Sequence, residues 1–115
     1  MTIEEMQQLC RCMPGVTESI KWGHSLCFCV AGKMFLVVGL DTHPTTASFK
    51  VTPEEFAVLG SREGFMPAPY LARYKWVALE NLSRLQPQEW ENYVQQSYRL
   101  VAEKLPKKLK PEFGK

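Results

Sequence analysis

A proline-punctuated segment at residues 65–77 constrains the fold of this chain more than any other stretch. Pro67 and Pro69 each fix φ and lack a backbone donor, which excludes the segment from a helix and from the centre of a sheet. The aromatic run that follows, around Trp76, alternates with the period of a β-strand. We therefore expect the segment to cross an edge of the fold in extended form and to lead into a strand over residues 74–80.

Period-two patterning also dominates the first half of the chain. Strands are predicted near residues 17–23, 25–31, 33–39 and 46–51. Turn residues such as Gly23-His24 and Ala31-Gly32 separate them, which favours an antiparallel meander. The strand at 33–39 is apolar on both faces and is expected to be central and covered. In the strand at 46–51 one face should meet water, which makes Lys50 an outward-facing cation.

Three helices are predicted from start and stop signals. Thr2 and Glu5 form a capping box before a helix at about 3–12, and Thr52 with Glu55 does the same before a short helix that ends at about 59. The longest helix opens at about 87, carries an aromatic-aliphatic stripe, and stops at Pro106. Together these elements predict an α+β domain in which helices cover an antiparallel sheet.

The length of 115 residues and the absence of a linker or repeat predict one domain over 1–115. The longest apolar run, residues 34–40, is far shorter than the ~20 residues that a bilayer requires. The acidic start of the chain lacks the basic and apolar regions of a signal peptide. These features predict a cytoplasmic protein with no membrane partner, and they leave the oligomeric state open.

Two Cys-x-Cys pairs raise a zinc hypothesis. Cys10 and Cys12, on a helix, would lie about 200° apart around its axis and could not chelate one ion together. Cys27 and Cys29 would share a strand face, but neither pair has the spacing of a zinc knuckle. The sequence therefore predicts buried, reduced thiols, no metal and no cofactor.

No catalytic signature is evident in the sequence. There is no glycine-rich phosphate loop, no His-Glu-x-x-His and no Gly-x-Ser-x-Gly motif. His24 and His43 fall near predicted turns, where a polar turn residue is the ordinary interpretation. Asp41 could orient His43, but a strand cysteine would be a poor nucleophile beside them. We expect a protein that is not an enzyme.

The basic residues are concentrated near the C-terminus. The net charge is only +2, but residues 99–115 hold six basic and two acidic side chains, a surplus of four, so the remainder carries −2. Cations also interleave with aromatic residues at Lys21-Trp22 and over 73–76, as on nucleic-acid-binding surfaces. The competing interpretation is structural: tryptophans in a small domain usually belong to the core, and the alternating lysines solvate the other face.

The order and spacing of four short motifs resemble the MmcQ/YjbR family of small bacterial proteins. They are Gly32-Lys33-Met34-Phe35; Ser48-Phe49-Lys50 followed by Thr52-Pro53-Glu54-Glu55; the crossing from Pro67 to Arg73 leading to Trp76-Val77; and Ser97-Tyr98-Arg99-Leu100-Val101 with Lys104-Leu105-Pro106-Lys107-Lys108. The resemblance covers nearly the whole chain. It implies a two-layer α+β sandwich similar to bacterial frataxin, with an antiparallel sheet of about five strands packed against N- and C-terminal helices. It also implies DNA binding through a "double wing" arrangement.

The leading functional hypothesis is therefore a non-catalytic, regulatory DNA-binding protein whose partner is double-stranded DNA. Its candidate phosphate contacts are Lys33, Lys50, Arg73, Lys75, Lys107 and Lys108, with the last two in a basic tail at about 106–115. Tyr70 and Trp76 are the candidate stacking or pocket residues, and Trp76 is also a candidate for the scaffold.

The alternative is a small-ligand or protein-interaction module with no nucleic-acid role. In that case Tyr70, Arg73 and Trp76 would line a pocket for an anionic or planar ligand. Convergence of the cations on a concavity would favour a ligand, and their spread over a face with the tail would favour nucleic acid. A frataxin-like iron role would need a carboxylate-rich helix face, and the first helix offers only Glu4 and Glu5.

Overall fold

Six antiparallel strands form one sheet in the computed structural model, which describes residues 1–110. The strands are β1 (Val16–Lys21), β2 (Ser25–Val30), β3 (Lys33–Gly39), β4 (Thr46–Lys50), β5 (Phe65–Pro67) and β6 (Trp76–Leu79). Their order across the sheet is β1-β2-β3-β4-β6-β5, so the first four strands form the predicted meander. The last two are added at the β4 edge, with β6 lying between β4 and β5.

The tight turn between β2 and β3 shows why the meander forms. Val30 pairs with Lys33, which leaves only Ala31 and Gly32 in the loop. Both have positive φ, 49° and 79°, as a type I′ hairpin turn requires. This turn matches the right-handed twist of the flanking strands and fixes their register.

The crossing segment departs in part from the predicted structure. Phe65–Pro67 is extended and lies at an edge, as expected, but it forms a short additional strand that pairs with β6, where the sequence predicted about five strands in all. Pro67 is tolerated because β5 lies at the sheet edge. A 3-10 turn at Ala72–Tyr74 and a left-handed Lys75 (φ 65°) then follow. The next strand therefore starts at Trp76 instead of residue 74.

Three α-helices complete the described chain: α1 (Ile3–Arg11), α2 (Pro53–Leu59) and α3 (Pro87–Ala102). Each begins at a capping box, and two of these boxes, at Thr2 and Thr52, were predicted. In α1 the Thr2 N–H donates to Glu5 at 2.9 Å, and the Glu5 N–H donates back to the Thr2 hydroxyl at 3.1 Å. Such caps satisfy helix N–H groups that would otherwise have no partner.

One face of the sheet, which we call the inner face, packs under α1 and α3. The apolar stripe of α3 supplies the buried Trp90, Val94 and Tyr98, and α1 supplies Met6 and Cys10. The strands contribute Leu26, Phe28, Val30, Leu36, Val38, Ala47, Phe49, Val77 and Leu79 to the same core. The predicted α+β sandwich of sheet and helices is thus confirmed.

The opposite, outer face of the sheet is partly covered by the crossing segment. Lys50 and Trp76 are cross-strand partners on β4 and β6, and they alternate with the core residues Phe49 and Val77. Trp76 is nevertheless only 5% exposed and Lys50 is half-buried. The expectation that this face of β4 meets water holds only in part: its residues are half-buried, because the segment from 68 to 75 lies over it.

No helix within residues 1–110 combines the length and the apolar character needed to cross a membrane. The longest, α3, has 16 residues, and several of them are charged.

Candidate functional site

A basic cleft opens at the end of the sheet where β3 begins, β4 ends and β6 begins, beside the C-terminal end of α3. Its volume is about 560 Å³. The lining residues, which we call the lysine cleft, are Lys33, Met34, Lys50, Leu71, Tyr74, Trp76, Val101, Lys104 and Leu105. Three cations thus share a concavity with an apolar and aromatic wall, and among residues 1–110 no carboxylate lines it.

Lys50 is the most constrained cation of the lysine cleft. Its ammonium donates a hydrogen bond to the Tyr74 carbonyl at 2.6 Å, and its backbone N–H donates to the Ser97 hydroxyl at 3.0 Å. Burial and, to a lesser degree, the nearby Lys104 ammonium lower the pKa of Lys50. An anion in the cleft would raise the pKa of Lys50 again, since it would favour the charged form of this lysine.

Lys33 and Lys104 flank Lys50 from different elements and are both exposed. Lys33 is the first residue of β3, whereas Lys104 follows the end of α3. The sequence placed Lys104 in the basic C-terminal run without assigning it a role. Its spacing from Val101 was the available signal, because residues three apart on a helix or its last turn share one side.

The lysines of the cleft make no salt bridge within the described part of the chain. The recorded ion pairs are Arg11–Glu18, His24–Asp41, Arg62–Glu89 and Arg84–Glu80. None of these pairs involves a residue that lines the cleft, so within residues 1–110 its lysines have no carboxylate partner. Such a concentration of one sign of charge attracts anions.

Trp76 and Tyr74 form the aromatic wall of the cleft. Trp76 is almost completely buried, which fits the scaffold role considered for it, while one edge of it still lines the cavity. Tyr74 is 52% exposed, and the Arg73 guanidinium lies 5.1 Å from the centre of its ring. Arg73 is therefore held near the cleft by a cation–π contact but does not line it.

Lys75 lies away from the lysine cleft. Its ammonium sits 5.1 Å from the centre of the Phe56 ring on α2. The left-handed backbone at Lys75 breaks the strand alternation on which the sequence interpretation relied. Of the six predicted phosphate contacts, the structure therefore brings only Lys33 and Lys50 into the cleft.

Lys107 and Lys108 follow the lysine cleft in the chain but do not line it. They are exposed in a 3-10 turn, Lys107–Leu109, that starts two residues after Leu105. The predicted basic tail extended to residue 115, and its part from 111 onward lies outside the described residues. Within the described part, Lys104, Lys107, Lys108 and Lys110 follow one another along the chain.

Tyr70 does not line the lysine cleft either. It is 97% exposed and lies at a second, apolar groove on the outer face of the sheet. Of the three residues from which the sequence proposed a pocket, Tyr70 lines this groove, Trp76 lines the lysine cleft, and Arg73 lines neither.

The cysteines and histidines form no metal-binding cluster of three or more ligand residues among residues 1–110. The exposed His24 lies 3.7 Å from the exposed Asp41 and 3.3 Å from the hydroxyl of the buried Ser25. Cys10, Cys27 and Cys29 are buried free thiols, but Cys12 is exposed. The prediction of buried thiols thus fails for Cys12, because this residue caps the end of α1 instead of facing the core.

Burial should make the thiols differ strongly in reactivity. It raises the pKa of Cys10 to about 12, with a further contribution from the Glu18 charge, and it also raises the pKa of Cys27 and Cys29. Because the thiolate is the reactive form, we expect the native protein to react quickly with iodoacetamide at one thiol, Cys12. Mass spectrometry should then show one fast adduct at pH 8 and four in denaturant.

A Cys12→Ser variant is the matched control for this labelling experiment. It should show no fast adduct in the native state and three in denaturant. Fast modification of Cys27 or Cys29 in the native protein would contradict the burial of the outer face of β2.

Comparisons with known proteins place the chain in a family and support its fold. The YjbR family model matches residues 11–100. A Deinococcus radiodurans protein with a DUF419 domain has a similar crystal structure, with a TM-score of 0.84 at 22% identity over 94% of this chain and 84% of that one. A Pseudomonas syringae protein is also similar, with a TM-score of 0.70 at 16% identity over 87% and 98% of the two chains.

No curated protein of known function matches this sequence. The two structural similarities concern the fold alone at these identities. The family match spans the whole sheet and nearly all of α3, including Lys33, Lys50 and the crossing segment. The chain therefore belongs to the YjbR family.

Proposed function

We propose that this protein is a cytoplasmic, non-catalytic DNA-binding protein with a regulatory role, and that the lysine cleft holds the phosphate backbone. The observation that carries the proposal is that the basic residues do not all converge on the cleft: Lys33, Lys50 and Lys104 line it, and further exposed lysines follow Lys104 along the chain. Lysine ammonium groups are common phosphate ligands, and such contacts supply most of the sequence-independent affinity for DNA.

The spread of the positive charge favours a polymer over a small anion. From the cleft, the exposed Lys107, Lys108 and Lys110 continue along the chain, with Glu103 as the only carboxylate between residues 99 and 110. A small ligand would contact only the cleft, whereas a phosphate backbone could contact both the cleft and these lysines. The pKa of Lys50 is lowered by burial and, second, by the Lys104 charge, and a phosphate between the two ammonium groups would offset the second effect.

A small anionic ligand is the second candidate function. The cleft volume of about 560 Å³ falls in the usual range for ligand sites, and Trp76 and Tyr74 offer it an aromatic wall. In this case a labelled mononucleotide should bind the cleft, and duplex DNA should not bind. Under the leading proposal, competition by a mononucleotide should be weak because it replaces only one or two of the phosphate contacts.

A salt titration tests the leading proposal. Fluorescence anisotropy of a labelled duplex with a single-stranded overhang should show binding at about 50 mM salt, with log K falling by ~0.7–0.9 per phosphate contact for each unit of log salt. The Lys33→Gln/Lys104→Gln variant should weaken binding more than about tenfold at low salt. It should also make the slope shallower by roughly 1.5, the loss of two contacts.

The charge-matched control is Arg11→Gln/Arg84→Gln. These arginines are paired with Glu18 and Glu80 and do not line the cleft. Because each double variant removes two positive charges, the two variants have the same net charge. Its salt slope should stay at the wild-type value. Absence of binding at about 50 mM salt, or equal losses in the two variants, would refute the cleft as a DNA site.

A further inference from the structure

The apolar groove on the outer face of the sheet is a second surface that phosphate binding does not explain. Its volume is about 340 Å³, and its lining is almost entirely apolar. The residues that line it are Trp22, Met34, Val37, Ser48, Ala68, Pro69, Tyr70 and Leu71. The strands β3 and β4 form its floor, and the crossing segment forms one wall.

Two large aromatic side chains stand exposed at this groove. Trp22 is 66% exposed in the β1–β2 turn, and Tyr70 is 97% exposed in the crossing segment. Both residues have positive φ, 56° and 65°, a conformation that costs free energy for any residue with a Cβ. Trp22 precedes Gly23 in this turn, at a position where small or polar residues are usual, yet its side chain is a large indole.

The groove is continuous with the lysine cleft. Met34 and Leu71 line both of them, so the apolar surface begins where the cations end. A ligand that spans the two surfaces must therefore carry negative charge at one side and a flat, apolar group at the other. A nucleotide in an unpaired strand has this form, because its phosphate is charged and its base has exposed faces.

Resting on the proposed function, we infer that the groove takes unpaired nucleobases, which stack on Trp22 and Tyr70, while Lys33, Lys50 and Lys104 hold the adjoining phosphates. The ligand is then single-stranded DNA, or a strand opened from a duplex. In an intact duplex both faces of each base are stacked on neighbours, so the groove would remain empty. Base stacking on aromatic side chains tolerates any sequence, which fits a groove that offers bases few polar groups.

Equilibrium binding to matched strands tests this inference. We expect a labelled 12-nucleotide single strand to bind more tightly than a 12-base-pair duplex in the same buffer. The Trp22→Ala/Tyr70→Ala variant should bind the single strand at least about tenfold more weakly, as the loss of base stacking predicts. Its affinity for the duplex and its salt slope should change little, because the lysines remain.

Two control variants separate stacking from general effects. Trp22→Phe/Tyr70→Phe keeps an aromatic face at each position and should retain the preference for the single strand. Val58→Ala removes an exposed apolar side chain on α2 that does not line the groove, and should leave binding unchanged. Circular dichroism and thermal unfolding verify that each variant is folded.

The outcomes distinguish this inference from the proposal on which it rests. Equal or tighter binding of the duplex, with no effect of Trp22→Ala/Tyr70→Ala, would overturn the stacking role and leave phosphate binding intact. Failure of both DNAs to bind would overturn the two together. A dimer that dissociates in the alanine variant, seen by sedimentation equilibrium without DNA, would identify the groove as a contact between copies and overturn the inference.

Discussion

Replacement of Trp90 by alanine should lower the free energy of unfolding by about 3–5 kcal/mol, the usual cost of removing a buried aromatic side chain. Trp90 has no solvent exposure, and its ring meets the Phe49 ring edge-on with the centroids 5.8 Å apart. Its indole N–H donates to the Leu82 carbonyl at 2.8 Å. One side chain thus joins α3 to β4 and to the turn that follows β6. The loss is a large part of the ~5–15 kcal/mol that stabilises a typical domain.

Urea unfolding followed by circular dichroism measures this change as a lower midpoint at a similar m value. Trp90→Phe should be intermediate, because it keeps a ring but loses the hydrogen bond to Leu82. Trp22→Ala is the matched control, since that tryptophan is largely exposed, and it should change stability by less than about 0.5 kcal/mol. Similar losses for Trp22→Ala and Trp90→Ala would contradict the assignment of Trp90 to the core.

Local signals explain why most elements could be predicted from the sequence. The capping boxes at Thr2 and Thr52 need only residues within one helical turn, and both are present in the structure. The two-residue turn at Ala31-Gly32 also depends on local geometry alone. The alternation of apolar and polar residues along β4 also predicted its two faces correctly, with Phe49 in the core and Lys50 on the other side.

The candidate site was less predictable because it depends on contacts between distant segments. Phe65–Pro67 becomes a strand only because β6 is available to pair with it. The left-handed conformation of Lys75 directs this residue to Phe56, which no periodicity predicts. Lys104 joins Lys33 and Lys50 only because α3 ends beside the start of β3. Residue type and order identified a basic, aromatic surface, but not which of the cations would share a cleft.

The buried Ser97 connects the packing of α3 with the position of Lys50. Phe35 is the extra residue of a β-bulge between β2 and β3, so the ladder with β4 begins only at Leu36. At this gap the Ser97 hydroxyl donates to the Phe35 carbonyl at 2.6 Å and accepts from the Lys50 N–H at 3.0 Å. A helix side chain therefore bridges two strands where the backbone of one is irregular.

Ser97→Ala should lower the free energy of unfolding by about 2–3 kcal/mol, because it leaves a buried carbonyl and an N–H without their partner. Ser61→Ala, at an exposed serine, is the control and should cost less than about 0.5 kcal/mol in the same urea titration. Since Ser97 also holds the backbone of Lys50, the variant should weaken DNA binding under conditions where it remains folded. A stability close to that of the wild type would show that the strands satisfy these two groups without the hydroxyl. Lys50 would then owe its position in the cleft to the Tyr74 carbonyl and the β4–β6 pairing alone.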